Sequence, residues 1–568
     1  MAETAKPGFG KSTLCPVVID DLERWHKDSP EAKFSAVAYY FFDKQTDQQQ
    51  IGLALRSLLV QLLHRYRHDT KAVDIASALF QKKVVGQPVA TDQEVFATLQ
   101  LLLAQFPRAA FIIDAVDECL NSEKFLKSLN TLTSKGRHCF LVLFSRPTLH
   151  FPRLMRESCK MLDLGDGNIS DLEKFLRPRI DSLVLNELIP PPYDPDDYIE
   201  QILYRANGLF LWAKLLLVFL ESRRLTVDQR LDALENLNRL EGLDSIYREI
   251  SDMLTTGDSI NATDNVKAAF MWVLGARRSV TVAELEVGMA QPLDGPLTAR
   301  DAFCDFEGSI GYNFGGLLEV TSGRIVRFIH ISAHEFFTQE FPASSNLLNF
   351  GSAEIQMSIA GKVLSYLVHT VPARPLSGDM FESADAIVER KKFPLLDYAV
   401  LFWSYHIRDA IMQCTSSGDM SGLRVAGQQL VNLFLNFLYS RDKLTVWLEA
   451  SWLFGRPPNA CPLPEDILLA MSQDGIGIRQ AADDYLLFRN DLQEMTSSWG
   501  YILQNEPHEV WGESIPIFSQ SKFWLRTRHS QLSCLATPEI NYDNSIFLAS
   551  HTSADGAKSA ALRLIPPV

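Results

Sequence analysis

Eight residues constrain this chain more than any others: Lys6-Pro7-Gly8-Phe9-Gly10-Lys11-Ser12-Thr13, set directly before a helix-like stretch, Leu14–Trp25. A loop ending Gly-Lys-Ser at a helix start can point several backbone N–H groups at one phosphate. The helix dipole favours the anion, the Lys side chain reaches the β- and γ-phosphates, and the Ser hydroxyl ligates magnesium. Such chemistry needs a carboxylate at the tip of a buried strand, and hydrolysis needs another to polarise water. Phe111-Ile112-Ile113-Asp114-Ala115-Val116-Asp117-Glu118 supplies both, about 100 residues downstream. The apolar run puts Asp114 at the strand tip, with Asp117 and Glu118 in the loop where a general base would sit. A third apolar stretch, Phe140–Phe144, ends in Ser145-Arg146-Pro147. A guanidinium there could sense or stabilise a γ-phosphate. Taken singly, each motif has a plainer reading: a glycine-rich turn, a solvated acidic turn, a surface arginine closing a strand. Together they argue for phosphate chemistry.

The surrounding pattern predicts an α/β sheet domain. Ala36–Phe42 is aromatic and nearly continuously apolar, as a strand buried on both faces should be. Ile51–Tyr66 and Val95–Leu103 repeat apolar residues at helical spacing, while Ala109–Ile113, Cys139–Phe144 and Met161–Leu164 read as strands. Strands separated by helices imply a parallel sheet covered on both faces. Beyond Asp166 the strand signal fades, and Pro190-Pro191-Pro192 marks a joint. Helical patterns run from Tyr198 to Leu254. Two helical stretches, Val266–Leu274 and Val282–Met289, then precede short strands at 316–320 and Ile325–Ile329, which suits a small winged-helix domain. Glu354 to about Tyr439 is again helical, and the last 90 or so residues show no clear period. The expected division is 1–185 nucleotide-binding sheet domain, 193–258 helical domain, 262–345 winged-helix domain, 353–475 second helical region and 476–568 an uncharacterised carboxy-terminal region. No ankyrin, tetratricopeptide or propeller repeat is evident.

Composition narrows the function classes. At 568 residues the chain exceeds a single compact core, and 46% hydrophobic with 22% charged residues is ordinary for a folded chain. Acidic residues outnumber basic ones, 69 to 54, for a net charge of −15, so a general nucleic-acid binder is disfavoured. The eight cysteines are widely spaced, with no metal knuckle, which argues for reduced thiols in an intracellular compartment. The longest apolar run, Gly208–Leu220, is interrupted by Lys214 and is too short to span a bilayer. A cytoplasmic protein without a membrane span is expected.

The set GFGKST, FIIDAVDE and LVLFSRP resembles the NACHT-type nucleotide-binding domain of signal-transducing P-loop NTPases. Within that class it is most similar to fungal NOD-like receptors of the nephrocystin-3-like amino-terminal type. Further stretches agree in order along the chain: YYFFDKQTDQQQ, LRSLLVQLL, NGLFLWAKLLL, FIHISAHEFF and FPLLDYAVLFWSYH, covering roughly residues 5 to 406. The resemblance implies ATP/ADP and Mg2+ as cofactors, a switch rather than metabolic turnover, and at most slow ATP hydrolysis. Gly8 and Gly10 shape the loop, Lys11 and Thr13 match phosphate contacts, and Ser12 and Asp114 match the magnesium side. Asp117 or Glu118 matches the water-activating carboxylate, and Arg146 the sensor arginine. His330 matches the winged-helix histidine that touches the β-phosphate of bound ADP and locks the resting form. From the residues alone, it reads equally as a buried structural histidine. Self-oligomerisation on activation, a sensed ligand and an effector are implied, with none identified.

Three departures stand against the pattern. Ala5 replaces the first loop glycine. Pro16 falls in the second turn of the helix, a cost of roughly 3 kcal/mol if that helix is regular. Met1–Thr4 spans at most about 14 Å and is too polar for a central strand, so the sheet is expected to lack the strand that carries the loop. Either the true chain starts earlier, which is favoured, or the product is a damaged relative. A nucleotide-binding-defective interaction scaffold is therefore the alternative to a signalling switch. A small-molecule kinase is the third reading, and it leaves the later helical segments and His330 unexplained. Near the carboxy end, Trp499–Trp524 resembles a segment that follows the helical region in some fungal members. Ser545–Ala549 reads as the opening of a truncated sensor.

Overall fold

The computed structural model describes residues 2–4, 8–28, 36–42, 50–81, 90–106, 108–135, 139–146, 149, 151, 160–163, 168–191, 196–256, 260–338, 348, 350–417, 423–463, 475–512, 549–552 and 558–561. The amino-terminal part contains strands β1 (Ala2–Thr4), β2 (Ala36–Phe41), β3 (Ala109–Asp114), β4 (Phe140–Ser145) and β5 (Met161–Asp163). Helices α1 (Lys11–Asp28), α2 (Gln50–Arg65), α3 (Thr70–Gln81), α4 (Asp92–Gln105) and α5 (Ser122–Lys135) lie among them. The sheet is parallel, in the order β2-β3-β4-β1-β5.

All six residues of β3 are buried, and they divide by the two-residue period of a strand. Phe111 and Ile113 join a core with Leu58, Leu99 and Leu126, from α2, α4 and α5. Ala110 and Ile112 join Cys15 and Ile19 of α1 on the opposite face. Asp114, the last residue of this strand, is thus carried to the sheet's carboxyl edge by an apolar strand covered on both sides.

Two expectations are corrected here. The strand before the loop is present: Ala2, Glu3 and Thr4 pair in parallel with Leu143, Phe144 and Ser145 on one side and with Met161, Leu162 and Asp163 on the other. Ladder bonds are made by backbone groups, so a polar sequence does not preclude pairing. The neighbouring strands keep their partner. Second, β2 lies at the sheet edge rather than buried on both faces, with Tyr39 and Phe41 exposed at 37% and 40%. The Gln61 side chain covers this edge: Tyr39 N donates to Gln61 Oε1 at 3.0 Å, and Gln61 Nε2 donates to Tyr39 O at 2.8 Å. A side-chain amide standing in for a strand partner blunts an otherwise open edge.

Pro16 lies inside α1, which continues through it to Asp28. Its ring is on the exposed side, while Cys15 and Ile19 bury the inner face. The helix thus continues past the proline, whose ring stays out of the packed face.

The rest is largely helical. It comprises α6 (Ile169–Leu185), α7 (Asp197–Ala206), α8 (Phe210–Glu221), α9 (Val227–Glu235), α10 (Gly242–Thr255) and α11 (Ile260–Gly275). A small antiparallel sheet follows, made of β6 (Val280–Thr281), β7 (Leu318–Val320) and β8 (Ile325–Phe328) in the order β6-β8-β7. It is flanked by α12 (Val282–Ala290), α13 (Phe306–Asn313) and α14 (Ile331–Thr338). Next come α15 (Ser352–Ser365), α16 (Ala386–Lys392), α17 (Leu396–Ser417), α18 (Leu423–Leu438), α19 (Arg441–Leu453) and α20 (Gly475–Asn505). One connected core runs through all of these, from Leu172 to Val510. The helix α20 falls where the sequence shows no evident period. Of Ser545–Ala549 only Ala549 is among the described residues. It opens a strand, Ala549–Thr552, paired antiparallel with Lys558–Ala561. No helix among the described residues is long and apolar enough to cross a membrane.

Candidate nucleotide-binding site

The loop between β1 and α1 begins the site. Gly10 O accepts from Thr13 N at 3.0 Å and from Leu14 N at 2.9 Å, which starts the helix directly after the loop. No acidic residue occupies the first turn of α1, so the positive end of its dipole is not neutralised there. Gly8 and Gly10 have φ of +84° and +85°, a region where only glycine is unstrained. A Cβ on Gly8 would lie 2.6 Å from the Cβ of Leu211, whereas one on Gly10 would meet nothing within 4 Å. Gly8 is therefore packed under α8, and Gly10 borders open space. Ala5 lies outside the described residues. Lys11, Ser12 and Thr13 form the first turn of the helix, with Thr13 exposed.

Across from this turn, Asp114 is buried at the end of β3, and its carboxylate accepts from the Ser12 hydroxyl. Burial raises the Asp114 pKa; the bonds from Ser12 and from the Ala115 N–H oppose the rise, as does the Lys11 charge. Burial lowers the Lys11 pKa, and the nearby Asp117, Asp114 and Glu118 carboxylates resist this while Arg146 adds to it. Ala115 sits in the left-handed region at φ 54°, turning the chain sharply into a single 3-10 turn, Val116–Glu118. That turn folds Asp117 back toward β4. Arg146 N donates to Asp117 Oδ1 at 2.9 Å, and Arg146 Nε lies 3.2 Å from Asp117 Oδ2.

The small-sheet unit closes the other side. Arg146 Nη1 reaches Glu335 of α14, at 3.2 Å to Oε1 and 3.0 Å to Oε2. His330, between β8 and α14, is held from behind. Ser332 N donates to its Nδ1 at 3.1 Å, and Ser332 Oγ lies 2.8 Å from Nδ1 and 2.9 Å from the Tyr247 hydroxyl. Because Nδ1 accepts a backbone N–H, the neutral ring carries its proton on Nε2. Burial pushes the His330 pKa down to about 4, with Arg146 and Lys11 adding to the effect and Glu335 opposing it. The imidazole is therefore neutral at pH 7 and retains one N–H to donate.

Part of this set opens onto a cavity of about 370 Å³. Ser12, Asp114 and Glu118 line one wall and Arg327, His330 and His334 the other, with Phe41 and Phe42 between. A larger cavity of about 1010 Å³ lies among α8, α9 and α10 and contains none of these residues. Of the residues singled out in the sequence, Ser12, Asp114, Glu118 and His330 line the smaller cavity, while Lys11, Asp117 and Arg146 lie beside it through electrostatic and ion-pair contacts. Asn168, Leu211, Tyr247 and Glu335 carry no local motif, since each meets its partner over a long sequence separation, and Ser332 is marked only by its place two residues after His330.

The donor set fits a magnesium-bound nucleotide. The hydroxyl of Ser12 and the carboxylate of Asp114 are hard oxygen ligands, and magnesium characteristically takes one or two carboxylates plus substrate phosphates. No cluster of three or more His, Cys, Asp or Glu that could cage a metal occurs among the described residues. The open space beside Gly10 leaves room for a phosphate against the loop.

Comparison with known proteins gives one family match: residues 3–146 match the family described as Nephrocystin 3, N-terminal. Among curated proteins, none matches the chain. Among solved structures, the Aeropyrum pernix ORC1 protein in complex with DNA is 14% identical, over 59% of this chain and 84% of that one, with a TM-score of 0.23. A Thermotoga maritima RuvB mutant is 15% identical, over 60% of this chain and 88% of that one, with a TM-score of 0.22. The parallel sheet and the glycine loop before α1 have the arrangement of a P-loop NTPase fold, and residues 3–146 are similar to the nephrocystin 3 amino-terminal family.

Proposed function

We propose that the chain is an ATP/ADP-controlled signalling switch of the NACHT, fungal NOD-like receptor type, closed with ADP and open with ATP. The observation that carries this reading is the meeting of Ser12 and Asp114 with His330 at one cavity, which would let a single bound nucleotide touch both the loop and the small-sheet unit. Lys11 and the loop N–H groups would hold the β-phosphate, and Ser12 and Asp114 would hold Mg2+. Bound there, the ion would neutralise charge on the phosphate oxygens. The Nε2–H of His330 would donate to the phosphate in the closed form, with residues 262–345 acting as a winged-helix lid. Asp117 is engaged by Arg146, so Glu118, which faces the cavity, is the better candidate to orient a water for slow hydrolysis.

A ligand shifts such an equilibrium only through its differential affinity for the two forms. ATP in place of ADP would free the lid, permitting self-oligomerisation in the cytoplasm and engagement of an effector in an immunity or incompatibility response. The scaffold alternative loses one of its supports, because β1 occupies its place in the sheet. Thermal unfolding in rising Mg-ADP tests the proposal. A binder gains about 2.7 kcal/mol at 100 times its Kd. No shift at millimolar ligand would leave the switch without a nucleotide and favour the scaffold.

A further inference from the structure

Two carbonyls of the phosphate loop are held by groups from beyond the sheet. Leu211 N, in the first turn of α8, donates to Gly8 O at 3.1 Å. Asn168 Nδ2 donates to Phe9 O at 3.1 Å. No cis peptide bond occurs among the described residues, and in a trans peptide the C=O and the following N–H point in opposite directions. Pinning the Gly8 and Phe9 carbonyls toward α8 and the start of α6 turns the N–H groups of Phe9 and Gly10 away from those helices. Beside Gly10 the space is open.

Asn168 departs from local rules to do this. It is the N-cap of α6, at φ −91° and ψ −8°, and its side chain makes no capping bond to its own helix. An N-cap Asn ordinarily accepts from the second or third helical N–H through Oδ1; here that local bond is absent and the amide's Nδ2 bonds across the fold instead. Residues that break a local preference tend to be those a site requires. We propose that Asn168 is a positioning residue that orients the phosphate loop toward the diphosphate of a bound nucleotide, so that loop geometry depends on how α6 and α8 dock against it. This rests on the nucleotide reading above and names a residue for it. The polyphosphate, not the base, feels the effect.

The test is titration calorimetry with Mg-ADP and, separately, with inorganic pyrophosphate. It compares the full chain with Asn168→Asp and Asn168→Ala, with the ligand-free melting temperature recorded for each. Asn168→Asp keeps the shape, removes the donor and faces the Phe9 carbonyl with a second acceptor. The expected result is about a ten-fold rise in Kd for both ligands in Asn168→Asp, a smaller rise in Asn168→Ala, and a ligand-free melting temperature within about 2 °C of wild type. A purely structural asparagine would lower the melting temperature and leave the affinity of the remaining folded protein unchanged. That outcome, or equal affinities in all three proteins, overturns the proposal. Should Asn168→Asp fail to fold, Asn168→Ala and Asn168→Ser decide it by the same comparison. Wild-type protein that binds neither ligand would instead overturn the nucleotide reading itself.

Discussion

Arg146 Nη1 lies 3.0 Å from Glu335 Oε2, tying the tip of β4 to α14 beside the cavity. The same guanidinium is 3.2 Å from Asp117 through Nε, so one cation is shared between two carboxylates on different parts of the fold. A γ-phosphate entering the site would compete for that cation. We expect Glu335→Gln to bind Mg-ADP much as wild type does, and to bind a non-hydrolysable Mg-ATP analogue about five-fold more tightly, roughly 1 kcal/mol. Competition titration of the two nucleotides reads the ratio. An unchanged ratio would mean that Glu335 plays no part in choosing between them.

The two loop glycines should fail in different ways when substituted. Gly8→Ala sets a Cβ against the Cβ of Leu211 at 2.6 Å as well as straining a positive φ, so it should lower the melting temperature sharply. Gly10→Ala meets no neighbour, and its folding penalty should be limited to the backbone term, roughly 1–2 kcal/mol. Its methyl group would instead intrude where a phosphate should sit. Melting curves with and without Mg-ADP separate the two. Equal melting temperatures for both variants would contradict the packing of Gly8 under α8.

Acid should loosen the closed form through His330. Its folded pKa of about 4 lies below the unfolded value of about 6.5, so between these limits the unfolded chain binds more protons. Stability from the buried neutral ring is full above pH 6.5 and is lost as the pH falls toward 4. His406, also buried and pushed down to about 3, contributes in the same direction and is common to both proteins compared. The melting temperature of wild type should therefore fall more steeply than that of His330→Gln between pH 6.5 and 5. Parallel curves would place His330 in contact with solvent.

What the sequence reveals depends on whether the signal is local. Asp114 is legible because apolar residues lead to it and β3 is buried along its whole length. Lys11 and Ser12 are legible because loop chemistry demands them next to a helix start. The strand Ala2–Thr4 is not, because its pairing is made by backbone atoms that leave no mark on side-chain type. The edge position of β2 escapes for a related reason: Tyr39 and Phe41 favour a strand whether or not a neighbour covers them, and strand order is a long-range property. In α20 the helical spacing is sparse among scattered Trp and polar residues: Ala481, Tyr485, Phe488, Leu492 and Met495 recur at alternating four- and three-residue steps, and all are buried. Asn168 and Glu335 carry no local signature, since each is defined by a partner on another element.

The central claim is that the glycine loop and the tip of β3 together hold a magnesium-bound diphosphate, and calorimetric titration of Mg-ADP into wild type, Lys11→Ala and Asp114→Ala tests it most directly. The account predicts saturable binding by wild type, at least a hundred-fold weaker binding or none by Lys11→Ala, and loss of the magnesium dependence in Asp114→Ala. Equal affinity in wild type and Lys11→Ala, or no binding by any of the three, would contradict it.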